Sequence, residues 1–371
     1  MNSYSSLGMR WVVTLTAVLA AGCGAKVETE KSQPIASTDV GKPTQATASQ
    51  KQWHDAMWVT PTPKDGCFHA TYPGLAWNEV PCIKVEEPPY RPANVVDRQI
   101  LPPQEFVGGG GTQDIAAMVT NGSITTAEGQ FPETYGYGNA DRFSLQINTN
   151  PFTTASGCQF GAASCQGWQQ FIYSTHTGHL FIQYWLINYG ATCPPSQGWH
   201  SDGGVSCYKN SVEYDLGDNL TNLQDWVLGG RSLNGHDTVA AGGLTSMSAA
   251  TQTAVFDLDT NPVWNIAEFN VFGDGSQSPA ANFDGAHPHV NVQIEVTNEH
   301  ALTTVSPTVQ AISYTAEVNN FTIVPGSPCS YPGIAGFGRN KVKFSEGFPG
   351  DVNFTAAFCL LNDITPIQFP L

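Results

Sequence analysis

Two side chains carry the types and settings that hydrolytic chemistry needs, Glu268 and Gln183. Glu268 is the only carboxylate between Pro262 and Phe272, an otherwise apolar stretch that ends in the glycine turn Gly273-Asp274-Gly275. Side chains of a strand alternate between faces. Trp264, Ile266, Glu268, Asn270 and Phe272 therefore share one face, and Ala267, Phe269 and Val271 share the other. Large apolar neighbours desolvate a carboxylate and raise its pKa toward the range useful for proton transfer. Gln183 lies in the run His179–Tyr189, where Phe181, Gln183, Trp185, Ile187 and Tyr189 share a face and Leu180, Ile182, Tyr184 and Leu186 make a core-packing face. Trp168–Tyr173 precedes this run and forms a hairpin with it. Should the two polar residues meet in one cleft, the carboxylate would activate water and the amide N–H would hold the developing oxyanion. Trp168, Phe181, Trp185 and Trp264 are the candidate walls for substrate. A plainer reading gives Glu268 a solvent-facing sheet position, Gln183 a backbone partner, and the aromatic row a packing role.

The elements that must position these groups are strands. The chain has 371 residues, 12% charged and 11% aromatic, with 37 Gly and 25 Pro, the profile of an exported strand-and-turn protein. From Phe106 onward, short apolar or alternating runs recur between turn residues. They include Ile115–Val119, Ile124–Gln130, Arg142–Asn148, Trp168–Ser174, Leu180–Asn188, Ser211–Leu216, Asp237–Gly243, Ala254–Leu258, Val263–Phe272 and Val290–Thr297. Such spacing predicts an all-β, antiparallel two-sheet sandwich over residues 106–371. Only Leu220–Val227 offers a helical alternative. Residues 53–105 read as a Pro-rich, disulfide-stapled N-terminal extension with short strands at best, either a pinned subdomain or a removable pro-region.

Residues 1–22 resemble a bacterial lipoprotein signal peptide. Arg10 precedes the apolar run Trp11–Ala21, too short to span a bilayer, and Leu19-Ala-Ala-Gly-Cys23 would make Cys23 the lipidated first residue. The alternative is an ordinary cleaved secretory signal. Both lead out of the cytoplasm, and the first places the protein on the cell envelope with a lipid anchor as its sole membrane contact. Residues 23–52, poor in large apolar groups, read as a flexible linker. Apart from Cys23, the nine cysteines leave an even number, which in an exported chain suggests disulfides. Spacing favours the sequential pairs Cys67–Cys82, Cys158–Cys165, Cys193–Cys207 and Cys329–Cys359.

Gly178-His-Leu-Phe-Ile-Gln183 with its aromatic strand, and Asn265-Ile-Ala-Glu-Phe-Asn-Val271, resemble the two catalytic strands of the eqolisin-type glutamic peptidases. The resemblance covers about Ile124 to Thr297. It carries that family's Gln onto Gln183 and its Glu onto Glu268, in the same order and at a family-like separation. It implies a lectin-like (concanavalin-A, jelly-roll) sandwich and an acid endopeptidase acting on polypeptides, without cofactor. Two family features are missing: Trp168 is followed by Gln169-Gln170-Phe171 rather than Val-Gly-Ile-Asp, and a Cys193–Cys207 loop bearing Trp199 replaces a Tyr- and Trp-rich segment.

Several classes are disfavoured. A formal net charge of −16 without a basic run argues against nucleic acid. His176 with His179, and His287 with His289, lack a third ligand at a convincing spacing, so no metal is expected. Gly108–Gly111 is followed by no GK[ST], and no Gly-x-Ser-x-Gly occurs. Competing functions are a non-catalytic sandwich that binds glycan or protein on its aromatic face, and a glycoside hydrolase. The latter needs two suitably spaced carboxylates, and Glu268 has no obvious partner.

Overall fold

The structure is a computed structural model. It describes residues 47–84, 88–90 and, with short interruptions, 114–273; beyond these it describes strand segments as far as residue 361. Residues 1–46, which hold the expected signal peptide, Cys23 and most of the expected linker, lie outside the described residues, as do Cys329 and Cys359 of the fourth expected pair.

A helix opens the described chain, α1 (Ala48–Val59). The strands follow: β1 (Gly66–Thr71), β2 (Asn78–Val80), β3 (Asp114–Thr120), β4 (Thr126–Tyr135), β5 (Ala140–Asp141), β6 (Phe143–Thr149), β7 (Gln166–Ser174) and β8 (His179–Ile187). Next come β9 (His200–Ser201), β10 (Cys207–Asn210), β11 (Tyr214–Asp215), β12 (Val227–Leu233), β13 (His236–Gly242), β14 (Ser246–Thr253) and β15 (Ile266–Gly273). The last are β16 (Asn282–Phe283), β17 (His289–Thr297), β18 (Thr308–Tyr314), β19 (Thr322–Ile323), β20 (Ile334–Ala335), β21 (Asn340–Gly347) and β22 (Leu360–Leu361).

Twenty of the strands form two ten-stranded antiparallel sheets, and β5 pairs with β16 in a separate two-stranded one. Sheet I runs β19-β21-β17-β4-β12-β13-β14-β1-β2, with β22 on β21; sheet II runs β20-β18-β3-β15-β6-β7-β8-β10-β9, with β11 on β8. The expected all-β two-sheet sandwich is the observed architecture. The stapled N-terminal segment donates β1 and β2 to sheet I, where β1 pairs with β14 from Gly66↔Thr251 to Thr71↔Ser246.

Strand alternation explains the core. Ala127 and Phe131 of β4 and Val292, Ile294 and Val296 of β17 face Leu145 and Ile147 of β6, Phe171 of β7, and Ala267, Phe269 and Val271 of β15 in one apolar cluster. The sheets approach so closely at two glycines that a side chain there has no room. A Cβ on Gly129 would sit 2.0 Å from Phe269 Cγ, and one on Gly230 would sit 2.2 Å from Phe171 Cδ2.

The outer face of sheet I is covered by α1, a helix that runs from the end of the expected linker (23–52) into the stapled extension, where short strands at best were expected. Thr47 caps it reciprocally with Gln50, a capping box, and Trp53, His54, Met57 and Trp58 form its buried side. It stops at Thr60, where the following Pro61 disfavours helical geometry. Trp58 lies over Gly229, whose added Cβ would fall 1.7 Å from the indole.

Two other local readings differ from what forms. In the range Leu220–Val227 the described residues, from Leu223 on, make one 3-10 turn, Leu223–Asp225, before β12 starts. Ala254–Leu258 is not a strand: Asp257 turns at φ 51° and contacts Thr260, while Phe256 packs between Phe152 and Tyr184. The strand lies just before it, in the small-residue run Ser246–Thr253.

Candidate functional site

The face of sheet II turned away from the core carries the candidate groups. Strand register aligns them. Glu268 of β15 stands opposite Asn148 of β6, Asn148 opposite Gln170 of β7, Gln170 opposite Gln183 of β8, and Gln183 opposite Asn210 of β10. Directly opposed residues point to the same face. One carboxylate and four amides therefore form a single row across five neighbouring strands. Glu268, Asn148, Gln170 and Gln183 are all fully buried.

Gln183 and Glu268 thus share a face and a row, but not a contact. Three strand spacings of about 4.8 Å put their backbones about 14 Å apart, with Asn148 and Gln170 between. Asn148 Nδ2 donates to Glu268 Oε2 at 3.2 Å. Gln170 Nε2 donates to Gln146 Oε1 at 2.7 Å, and Gln146 Nε2 to Ser144 Oγ at 2.8 Å, a relay along β6 and β7. Trp185 Nε1 donates to both Gln170 Oε1 (2.8 Å) and Gln183 Oε1 (3.1 Å). These bonds fix the orientation of each amide in the row.

Aromatic groups border the row on both sides. On one side Trp168 and Trp185 lie with ring centroids 6.2 Å apart, and Tyr208 of β10 is 5.6 Å beyond Trp185. Trp168 Nε1 donates to the Thr149 carbonyl at 2.6 Å. On the other side Phe181 and Ile172 form a cluster with Tyr90. Three of the four expected wall residues, Trp168, Phe181 and Trp185, therefore flank the row. Trp264 does not. It precedes β15, lies in the inter-sheet core and stacks on Phe171 at 5.6 Å, because alternation holds only once the strand has begun at Ile266. Tyr189 likewise lies past the end of β8 and joins the core.

A piece of the chain's own backbone lies on Gln183. Its Nε2 donates to the Pro88 carbonyl (3.1 Å) and to Asn210 Oδ1 (2.8 Å), while Tyr90 N–H donates to Gln183 Oε1 (2.7 Å). Tyr90 is fully buried, its ring 5.8 Å from that of Phe181. The segment arrives from a fastened point. Ile83 bridges to Glu213 (N···O 2.8 Å), next to the Cys67–Cys82 disulfide, and Glu213 Oε2 lies 3.3 Å from His179 Nδ1 at the head of β8. Cys158–Cys165 and Cys193–Cys207 also form as spacing suggested.

A second polar cluster sits inside the sandwich, apart from the row. Tyr184, on the core face of β8, donates its hydroxyl to Asp237 Oδ2 at 3.0 Å and accepts from Gln252 Nε2 at 2.8 Å. Burial pushes the Asp237 carboxyl above its ordinary range despite hydrogen bonds from groups such as Tyr184. Burial, with the adjacent Asp237, pushes the Tyr184 phenol well up. This cluster ties sheet II to sheet I.

No family model and no curated protein matches the sequence. Among solved structures, scytalido-glutamic peptidase with a transition state analog inhibitor superposes with a TM-score of 0.21 and 12% identity, covering 64% of this chain and 97% of that one. The same peptidase with a peptide based transition state analog gives a TM-score of 0.22 at 10% identity with the same coverage. Superpositions this loose leave the chemistry of the site to its own residues.

Proposed function

We propose that the protein is a peptide-bond hydrolase, an acid endopeptidase in which Glu268 activates water and an amide of the row holds the oxyanion. The observation that carries this reading is the shared row, a lone buried carboxylate in line with four amides on one aromatic-edged face. Glu268, oriented by Asn148, takes a proton from water; the water oxygen attacks the peptide carbonyl; the C–N bond breaks, and the proton passes from the carboxyl to the leaving amine. Gln183 is the expected oxyanion donor, and its N–H already donates to a peptide carbonyl, that of Pro88. Gln170 stands one strand nearer to Glu268 and competes for that role.

The substrate is a polypeptide laid across β8, β7, β6 and β15. Export and an N-terminal lipid anchor at Cys23 belong to the same proposal, with three disulfides in support of an oxidising compartment. The distance between Gln183 and Glu268 favours a second reading, a sandwich that binds peptide or glycan on this face without turnover. Peptide hydrolysis at acidic pH by the whole chain and by Gln183→Ala, Gln170→Ala and Glu268→Gln separates the two. Turnover that falls with Glu268→Gln and with one of the amide variants supports hydrolysis. Binding without cleavage in every chain leaves the second reading.

A further inference from the structure

The segment on Gln183 sits where the proposed reaction needs its substrate. A peptide bound there would place a carbonyl on Gln183 Nε2, and Pro88 places its carbonyl on that atom at 3.1 Å. Two residues on, the Tyr90 N–H satisfies Gln183 Oε1 at 2.7 Å, so the strap takes both the donor and the acceptor of the amide. Between these contacts Pro89 fixes φ, has no N–H of its own and biases Pro88 away from helical geometry, so the segment is stiff. The Tyr90 ring is buried in a pocket formed by Phe181 and Ile172. Gln183, Phe181 and Ile172, the residues the strap touches, have no solvent exposure.

We propose that Pro88–Tyr90 is a built-in pseudo-substrate: it closes the groove by binding Gln183 as a peptide would, and its displacement opens the site to peptides with an aromatic residue two positions after the carbonyl held by Gln183. This rests on the hydrolase reading for the meaning of the groove, but its geometry stands without catalysis. The upstream end is pinned at Ile83 and by the Cys67–Cys82 bridge, so displacement frees the strap without unfolding the sheets. As a binding equilibrium, occupancy by the strap lowers the apparent affinity for any other peptide by the fraction of chains that are open.

The test uses the full chain carrying Glu268→Gln, so that turnover does not consume the probe. The probe is a fluorescein-labelled peptide Glu-Glu-Pro-Pro-Tyr-Arg, read by anisotropy. Removing the ring anchor with Tyr90→Ala should tighten probe binding by at least about tenfold, since one buried aromatic anchor is worth that much in the open–closed equilibrium. Adding Gln183→Ala should abolish the gain. Pro89→Gly, which loosens the strap and keeps the ring, reports the same direction if Tyr90→Ala does not fold. Equal affinity with and without the strap substitutions, or no probe binding to any chain, overturns the proposal. In chains with Glu268 intact, the same substitutions should raise peptide hydrolysis. Probe binding that follows the expected order in chains that never cleave would remove the hydrolase reading and keep the strap. Cleavage unchanged by Tyr90→Ala, with equal probe affinity, would do the reverse.

Discussion

Gly129→Ala tests whether the two sheets meet as described behind the candidate site. The new Cβ would lie 2.0, 2.2 and 2.4 Å from Phe269 Cγ, Cδ2 and Cδ1, all well inside contact distance. The ring cannot simply swing away: it is buried against Phe131 with centroids 4.9 Å apart, and it belongs to β15, the strand that carries Glu268. Forcing one extra methyl into a filled core costs about 1–3 kcal/mol, and a ring overlap this severe belongs at the upper end. Gly204→Ala is the control, because its nearest neighbour is the Asp202 carboxylate oxygen at 3.3 Å, in an exposed loop; surface changes of that kind stay within about 0.5 kcal/mol. Guanidinium unfolding of wild type, both single variants and Gly129→Ala with Phe269→Leu would give the midpoints. We expect a clear loss for Gly129→Ala, little change for Gly204→Ala, and a favourable coupling of about 0.5–3 kcal/mol in the double variant. A Gly129→Ala chain as stable as wild type, or strictly additive effects, would refute the face-to-face packing of β4 on β15.

Other expectations follow from the same geometry. Asn148→Ala removes a donor to Glu268 Oε2; turnover should fall more than peptide affinity, with a stability cost of about 1–3 kcal/mol in thermal unfolding. Asp237, with its carboxyl held above 3.8 by burial, keeps its proton in the folded chain after the unfolded chain has lost it. Its contribution is therefore full below pH 3.8 and declines as pH rises from there through the folded value. Asp237→Asn should flatten that decline in a stability-versus-pH series, and an unchanged slope would contradict it. Replacing Cys67 and Cys82 together by Ala opens a bridge of sequence separation 15; it should cost about 3 kcal/mol and raise probe access to the groove by freeing the strap.

How much of this was legible in the sequence depends on the range of the forces involved. Strand alternation is local, so Phe181, Gln183 and Trp185 were correctly set on one face of β8 and Ile182, Tyr184 and Leu186 on the other. The same logic overreached at Trp264 and Tyr189, which lie just past strand ends and turn into the core. Strand β14 was hidden because Ser246–Thr253 is built of small residues that fit beneath α1, so it shows little hydrophobic contrast. Helix α1 had a readable signal, Thr47-Ala-Ser-Gln50 before Trp53, Met57 and Trp58, which polar composition concealed. Asn148 and Gln170 were missed for a different reason. Their place in the row is set by inter-strand register, which no local pattern encodes. The strap on Gln183 is likewise a contact across the chain, between Tyr90 and Gln183.

The central claim concerns Glu268, and product masses test it most directly. An unfolded protein substrate is incubated at acidic pH with the Tyr90→Ala chain, and with the same chain carrying Glu268→Gln, and the products are read by mass spectrometry. The account predicts pairs of peptides whose masses sum to that of the substrate plus one water per cleaved bond with the first enzyme, and intact substrate with the second. Equal cleavage by both, or none by either, would contradict it.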